Sequence, residues 1–88
     1  AANWGLIWQV FDDQDLAMEA KKLTRYFVTA PTASIAMTKK AIHAALTNNL
    51  DQQLDLERDL QREAGRSGDY AEGVAAFLEK RAPQFKGN

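Results

Sequence analysis

Apolar residues recur every three or four positions through most of this chain of 88 residues. Residues at that spacing share one face of an α-helix, whereas a strand places every second residue on one face. The pattern is interrupted at residues that typically end or restart helices, namely Pro31, Asn48 with Asn49, Gly65 and Pro83. The spacing therefore predicts an all-α fold of about four helices, preceded by a short extended segment.

Side chains that cap helix N-termini stand at the start of each predicted helix. They are Asp12 or Asp13, Thr32, Asn49 with Gln52 three positions later, and Asp69 with Glu72 three positions later. Asp, Thr and Asn side chains accept hydrogen bonds from the free N–H groups of the first turn. A Gln or Glu three residues further along completes a capping box. We expect Gly65 to follow the third helix as its stop signal and Pro83 to close the fourth helix.

The N-terminal run Leu6–Phe11 differs from the rest of the chain because it contains Trp, Ile, Val and Phe, which favour strands. No second run of this kind is present to pair with it. We expect it either to pair with sequence outside this chain or to pack as extended coil. The start Ala-Ala-Asn-Trp-Gly has no initiator Met and is typical of a cut through a longer protein. One domain is expected over residues 1–88, with an extended segment at 1–11, helices within 12–82 and a tail at 83–88.

The composition argues against several classes of function. Eleven Lys and Arg oppose twelve Asp and Glu, and the net charge of −1 is unlike the basic surface of a nucleic-acid binder. The chain has no cysteine and one histidine, His43, which argues against a disulfide scaffold, a zinc or thiolate metal site and a cysteine nucleophile. No apolar run approaches the ~20 residues of a membrane helix. We expect no nucleic-acid partner, no membrane partner and no metal.

The predicted third helix, residues 50–64, carries an apolar arc of roughly 160°, which is wide for a helix that packs on one side only. Glu57 falls inside this arc, between Leu60 and Leu50, with Gln53 and Gln61 beside it. A carboxylate in that position needs partners or a changed pKa. Glu57 could be a buried or interfacial polar contact, or it could be a functional acid. The first interpretation is favoured because no second titratable group converges on Glu57 within this helix.

Phe77 and Lys80 lie three positions apart near the end of the predicted fourth helix, beside a basic stretch that includes Arg81 and Lys86. An aromatic face next to an ammonium group could stack on a nucleotide base and pair with a phosphate. A lysine near a helix C-terminus also compensates the helix dipole. From these residues alone, dipole compensation is the favoured role.

Residues 67–85, SGDYAEGVAAFLEKRAPQF, resemble the C-terminal signature of the crotonase, or enoyl-CoA hydratase/isomerase, superfamily. That signature reads S-x-D-x-x-E-G-[VI]-x-A-F-[LVI]-E-K-R-x-P-x-F. The matching positions are Asp69, Glu72, Gly73, Ala76, Phe77, Glu79, Lys80, Arg81, Pro83 and Phe85. Upstream, WGLIWQV resembles the family's "GLV" strand, and residues 31–41 resemble its Pro…Thr-Lys-x-Ala helix. Other runs, such as WGLIWQVFDD, look most like its phenylacetate-degradation branch, the ring-1,2-epoxyphenylacetyl-CoA isomerases.

The resemblance implies that this chain is the C-terminal helical domain of an enzyme acting on acyl-CoA thioesters. In this family an N-terminal spiral domain supplies the oxyanion hole and the acidic catalytic residues, so no catalytic residue is expected here. In this family the helical domains assemble the subunits into trimers or hexamers. We expect a cytoplasmic location. By motif position, Phe77 would contact the CoA adenine and Lys80 a CoA phosphate on a neighbouring subunit. CoA is part of the substrate, and no separate cofactor is implied.

The alternative is a free-standing helical module that binds a partner helix through the same apolar surface. A start codon near Ala1 in the natural reading frame would favour such a module. An open frame extending upstream would favour the C-terminal part of an enzyme.

Overall fold

Four α-helices account for most of the chain in this computed structural model, which describes all 88 residues and contains no β-strand. The helices are α1 (Asp13–Val28), α2 (Thr32–Ala45), α3 (Leu50–Ala64) and α4 (Gly68–Glu79). The predicted all-α fold of about four helices is confirmed. None of the helices is both long enough and apolar enough to span a bilayer.

The start of α3 follows the sequence signal. The Asn49 side chain accepts a hydrogen bond from the Gln52 N–H at 2.9 Å, and the Asn49 N–H donates to Gln52 Oε1 at 3.0 Å. These two bonds form the predicted capping box, which satisfies N–H groups that the helix itself leaves free.

Two other predicted helix starts are wrong. Pro31 is the N-terminal cap of α2, and Thr32 is its first helical residue. The fixed φ of proline suits the entry to a helix, and no side chain caps the N–H groups of the first turn there. In α4 the cap is Ser67, whose hydroxyl accepts from the Tyr70 N–H at 3.1 Å. Asp69 and Glu72 form no box, because both carboxylates bind the chain that follows α4.

The helix C-termini also depart from the prediction. Gly65 does end α3, but at φ −66° and ψ −14° it stays in the right-handed region and does not form the left-handed stop. The turn continues right-handed into Ser67, which starts α4 directly. Helix α4 ends at Glu79, four residues before Pro83, because Lys80 adopts a left-handed conformation. Pro83 therefore does not close α4.

The helices form a flat, open layer with little interior. Only Ala30, Leu60, Ala76 and Asp69 are buried, and α2 with α3 is the one extensively packed helix pair. The radius of gyration is 16.6 Å and the thinnest dimension is 18 Å, whereas a compact domain of this length has a radius near ~12 Å. The predicted apolar faces therefore remain mostly open to solvent.

Residues 1–12 form turns and bends with no regular secondary structure. The Trp4 and Leu6 N–H groups both donate to the Ala1 carbonyl, and Trp8 meets Phe11 edge-on with ring centres 6.3 Å apart. Trp4 is 91% exposed and Trp8 is also largely exposed. The segment thus finds no strand partner within this chain, and its pairing with preceding sequence stays a prediction.

Candidate functional site

The C-terminal end of α4 exposes the two side chains that the sequence singled out for CoA contact. Phe77 is 82% exposed on the last full turn of the helix. Lys80 is exposed directly after the helix, and its ammonium group forms no ion pair or hydrogen bond with the rest of the chain. An aromatic face and an unpaired cation are therefore both exposed at the C-terminal end of α4.

Lys80 has an unusual backbone conformation for a lysine, with φ 54° and ψ 40°. Its N–H donates to the Phe77 carbonyl at 3.3 Å, and the Arg81 N–H donates to the Ala76 carbonyl at 3.0 Å. These bonds define a Schellman motif, in which the left-handed position is most often glycine. A residue with a Cβ loses roughly 1–2 kcal/mol in this conformation. Other contacts must compensate for that loss.

Arg81 connects the chain after the turn to α4. Its guanidinium donates to both Glu72 oxygens, at 2.6 and 3.1 Å, and to Glu79 at 2.6 Å. The Gln84 N–H also donates to Glu72, at 2.8 Å. The hydrogen bonds from Arg81, then that from the Gln84 N–H, lower the pKa of Glu72 to about 2. The same contacts, with Glu72 first and Glu79 second, raise the pKa of Arg81.

A second carboxylate fastens the end of the chain. Asp69, 3% exposed, accepts from the Lys86 N–H at 2.7 Å and the Gly87 N–H at 2.9 Å. The Asp69 N–H donates to the Asn88 carbonyl at 2.9 Å. Residues 80–88 thus turn back along α4 towards its N-terminus, and we call this segment the C-terminal strap. The tail predicted at residues 83–88 is therefore held against α4.

An apolar groove of about 380 Å³ lies along α4, and it is bordered by the strap, by Pro31 and Ser34 at the start of α2 and by Ala64 at the end of α3. Phe77 and Val74 of α4 line it together with Phe85 of the strap. A Cβ on Gly73 would lie 3.6 Å from the Phe85 ring, which is an ordinary van der Waals distance, so the strap packs directly against α4 at this position. One wall of this groove is therefore formed by the exposed aromatic ring of Phe77.

Glu57 lies at the rim of two shallow grooves between α2 and α3. Gln53 Nε2 donates to Glu57 at 2.9 Å and to the Ala41 carbonyl of α2 at 3.1 Å. The Asn48 side chain donates in turn to Gln53 at 3.1 Å. Glu57 is thereby linked to α2 through Gln53, but its own side chain is exposed. Its proposed role at an interface remains a prediction.

The chain contains no cluster of three or more His, Cys, Asp or Glu residues that could hold a metal ion. His43 is exposed on α2.

Sequence reasoning missed the pairing of Glu72 with Arg81 and the role of Asp69. The two members of the pair are nine positions apart, which in a continuous helix would place them on opposite faces. The left-handed turn at Lys80 brings them together. The one available signal was the run of charged residues Glu79, Lys80 and Arg81, which is also consistent with an ordinary helix end.

Comparison with known proteins gives a consistent result over the whole chain. The family model for enoyl-CoA hydratase/isomerase matches residues 1–88. The chain is 60% identical over 87 residues to 1,2-epoxyphenylacetyl-CoA isomerase of Escherichia coli K12, covering 99% of this chain and 33% of that protein. It is 47% identical to a probable enoyl-CoA hydratase of Rhodobacter capsulatus, covering 99% of this chain and 34% of that protein.

Solved structures agree with the sequence matches. A crystal structure of an enoyl-CoA hydratase from Geobacillus kaustophilus superposes with a TM-score of 0.89 at 32% identity, covering 100% of this chain and 33% of that one. The chain thus spans about a third of the length of the relatives it matches. The arrangement of its helices is that of the helical C-terminal domain of the crotonase fold. The family match, the sequence identities and the shared fold together establish that this chain belongs to the enoyl-CoA hydratase/isomerase family.

Proposed function

We propose that this chain is the C-terminal helical part of an enzyme that acts on acyl-CoA thioesters, where it contributes CoA contacts and subunit contacts. It spans about a third of the length of its relatives, and the family resemblance assigns the oxyanion hole and the catalytic acids to an N-terminal domain. We therefore expect the isolated 88 residues to show neither enoyl-CoA hydration nor isomerisation. Turnover by the isolated chain would contradict this proposal.

The observation that carries the proposal is that Phe77 and Lys80 are both exposed at the C-terminal end of α4. The Phe77 ring is 82% exposed, which leaves a face on which an adenine base can stack. The Lys80 ammonium has no partner within the chain and can pair with a phosphate of the same nucleotide. CoA carries both groups, and the bound molecule would belong to a neighbouring subunit.

We infer the substrate branch from the relatives. The 60% identity to a 1,2-epoxyphenylacetyl-CoA isomerase supports a role in phenylacetate catabolism, with a ring-epoxide acyl-CoA as the substrate. The identity to the probable enoyl-CoA hydratase is lower, at 47%. A helical interaction module unrelated to CoA is less well supported, since the family match covers every residue of the chain.

Assembly into a trimer or a pair of trimers is the second part of the proposal. Trp4, Leu46 and Leu50 are among the many large apolar side chains left open to solvent. Exposed apolar surface on this scale marks contact with other protein surface. We expect the preceding part of the enzyme and neighbouring subunits to cover these side chains.

The CoA contact is tested in the full-length enzyme by Lys80→Ala and Phe77→Ala. We expect Lys80→Ala to raise the KM for the acyl-CoA substrate about twofold to fivefold, the value of one partly exposed charge contact. The kcat should change less than the KM, because the nucleotide lies far from the reacting thioester. Lys39→Ala is the matched control, since Lys39 is an exposed lysine without an ion pair. An unchanged KM and an unchanged Kd for free CoA would reject the role of Lys80.

A further inference from the structure

We propose that Arg81 is a positioning residue, which holds the turn at Lys80 through its ion pair with Glu72 and thereby fixes how Lys80 and Phe77 meet CoA. The inference rests on the proposed CoA contact at these two side chains. It assigns to Arg81 and Glu72 a part in binding, although neither contacts the ligand.

The turn at Lys80 competes with a simple extension of α4. Residues 80 and 81 can be helical in principle, since Pro83 disfavours the helical conformation only at Ala82, the residue directly before it. In the extended helix Lys80 would escape the left-handed conformation that costs a residue with a Cβ free energy. Its ammonium would then point in a different direction from the one in this structure. Something in the chain must favour the turn.

The Glu72–Arg81 pair distinguishes the two conformations. Positions nine residues apart on a continuous α-helix lie about 180° apart around the axis and about 13.5 Å apart along it. The bidentate contact, at 2.6 and 3.1 Å, can therefore form only when the chain reverses at Lys80. Each such contact stabilises the turn and does nothing for the extended helix.

The surroundings reinforce this ion pair. The Gln84 N–H donates to Glu72 from the strap at 2.8 Å, and this bond also requires the reversal. Glu79 accepts a further hydrogen bond from the Arg81 guanidinium, at 2.6 Å. Most N–H groups of the Arg81 guanidinium already donate to Glu72 and Glu79, so few are left to bind a phosphate. The Lys80 ammonium has no such partner. The geometry thus assigns the contact to Lys80 and the positioning to Arg81.

The test is a double-mutant cycle in the full-length enzyme, with the Kd of free CoA measured by calorimetry. The four proteins are the wild type, Lys80→Ala, Arg81→Ala and the double variant. We expect Arg81→Ala to raise the Kd about twofold to fivefold in the wild-type background, a typical coupling between residues of one network. In the Lys80→Ala background the same substitution should have almost no effect, because Arg81 acts through Lys80.

Glu72→Gln should reproduce the effect of Arg81→Ala while leaving Arg81 in place. Arg58→Ala is the matched control, since Arg58 also binds two carboxylates, Asp55 and Asp59, but within α3. It should leave the Kd unchanged. If Arg81→Ala does not fold, the double-mutant cycle is measured with Glu72→Gln and Lys80→Ala instead.

Three results would overturn the inference. An unchanged Kd in both Arg81→Ala and Glu72→Gln, even with a lowered melting temperature, would show a purely structural pair. If Arg81→Ala raised the Kd by the same factor in the wild type and in Lys80→Ala, Arg81 would contact CoA itself or affect the whole fold. If Arg81→Ala raised the Kd and Lys80→Ala did not, the phosphate contact would belong to Arg81 and not to Lys80. The proposed CoA contact fails separately, if Lys80→Ala and Phe77→Ala both leave the Kd unchanged.

Discussion

Glu72 and Asp69 show how the role of a single residue depends on its partners. Both carboxylates lie near the start of α4, where a sequence pattern assigns them to helix capping. In the structure each accepts N–H groups from the strap instead, and Glu72 also binds Arg81. A short helix with Ser67 as its cap leaves both side chains free for this use.

The altered pKa of Glu72 predicts a pH-dependent loss of stability. Its folded-state pKa of about 2 lies below the ordinary value of 4.5, because Arg81 and the Gln84 N–H bind the charged form. The contribution is complete above pH 4.5, where the carboxylate is charged in both states, and is lost as the pH falls towards 2. We expect Glu72→Gln to lower the midpoint of urea unfolding at neutral pH, and this deficit to shrink as the solution is acidified.

Glu63→Gln is the control for that measurement, since Glu63 is exposed on α3 and has no ion pair. A deficit in Glu72→Gln that stays constant from about pH 7 to about pH 3 would contradict the assignment. It would mean that the carboxylate has similar partners in the folded and unfolded chain.

The helix ends show which local signals suffice to define an element. At α3 the capping box needs only Asn49 and Gln52, which are three positions apart, and it forms as predicted. At the end of α4 the deciding contacts join Glu72 with Arg81 and Asp69 with Lys86 and Gly87. Such contacts between distant positions cannot be identified from helical periodicity, and they set the end of α4 at Glu79.

The capping box of α3 predicts a measurable cost for its removal. Asn49→Ala removes the acceptor for the Gln52 N–H and should lower the free energy of unfolding by about 1 kcal/mol. Asn49→Ser keeps a side-chain oxygen at the cap and should cost much less. Chemical denaturation of the two variants measures the difference. Equal losses in both would show that the cap contributes little to α3.

The whole molecule is an open layer in which only four of the 88 residues are buried. The area that such a layer buries is small, and burial of apolar area is the main stabilising contribution to a fold. In a protein with the length of its relatives, the remaining two thirds of the chain can cover these faces. We therefore expect the helices to provide surfaces for assembly as well as to form a domain.

At this scale the prediction concerns Glu57, which is exposed at the rim of the grooves between α2 and α3. We expect Glu57→Leu in the full-length protein to change the sedimentation profile and to lower the melting temperature, because it removes the acceptor of Gln53 from an assembly surface. Glu63→Leu, on the same helix, is the control. Unchanged sedimentation and melting would show that Glu57 is simply a solvated side chain.

The sequence by itself determined the number of helices, the capping box of α3, the family and the choice of Phe77 and Lys80. Helical periodicity and capping act within a few residues, and the family signature is a linear pattern, so these features can be read along the chain. The tertiary structure alone decided that Lys80 is left-handed, that residues 80–88 fold back and that Arg81 binds Glu72. These features depend on a reversal that brings positions nine or more apart into contact, whereas local propensity disfavours a left-handed lysine and so favours a longer helix.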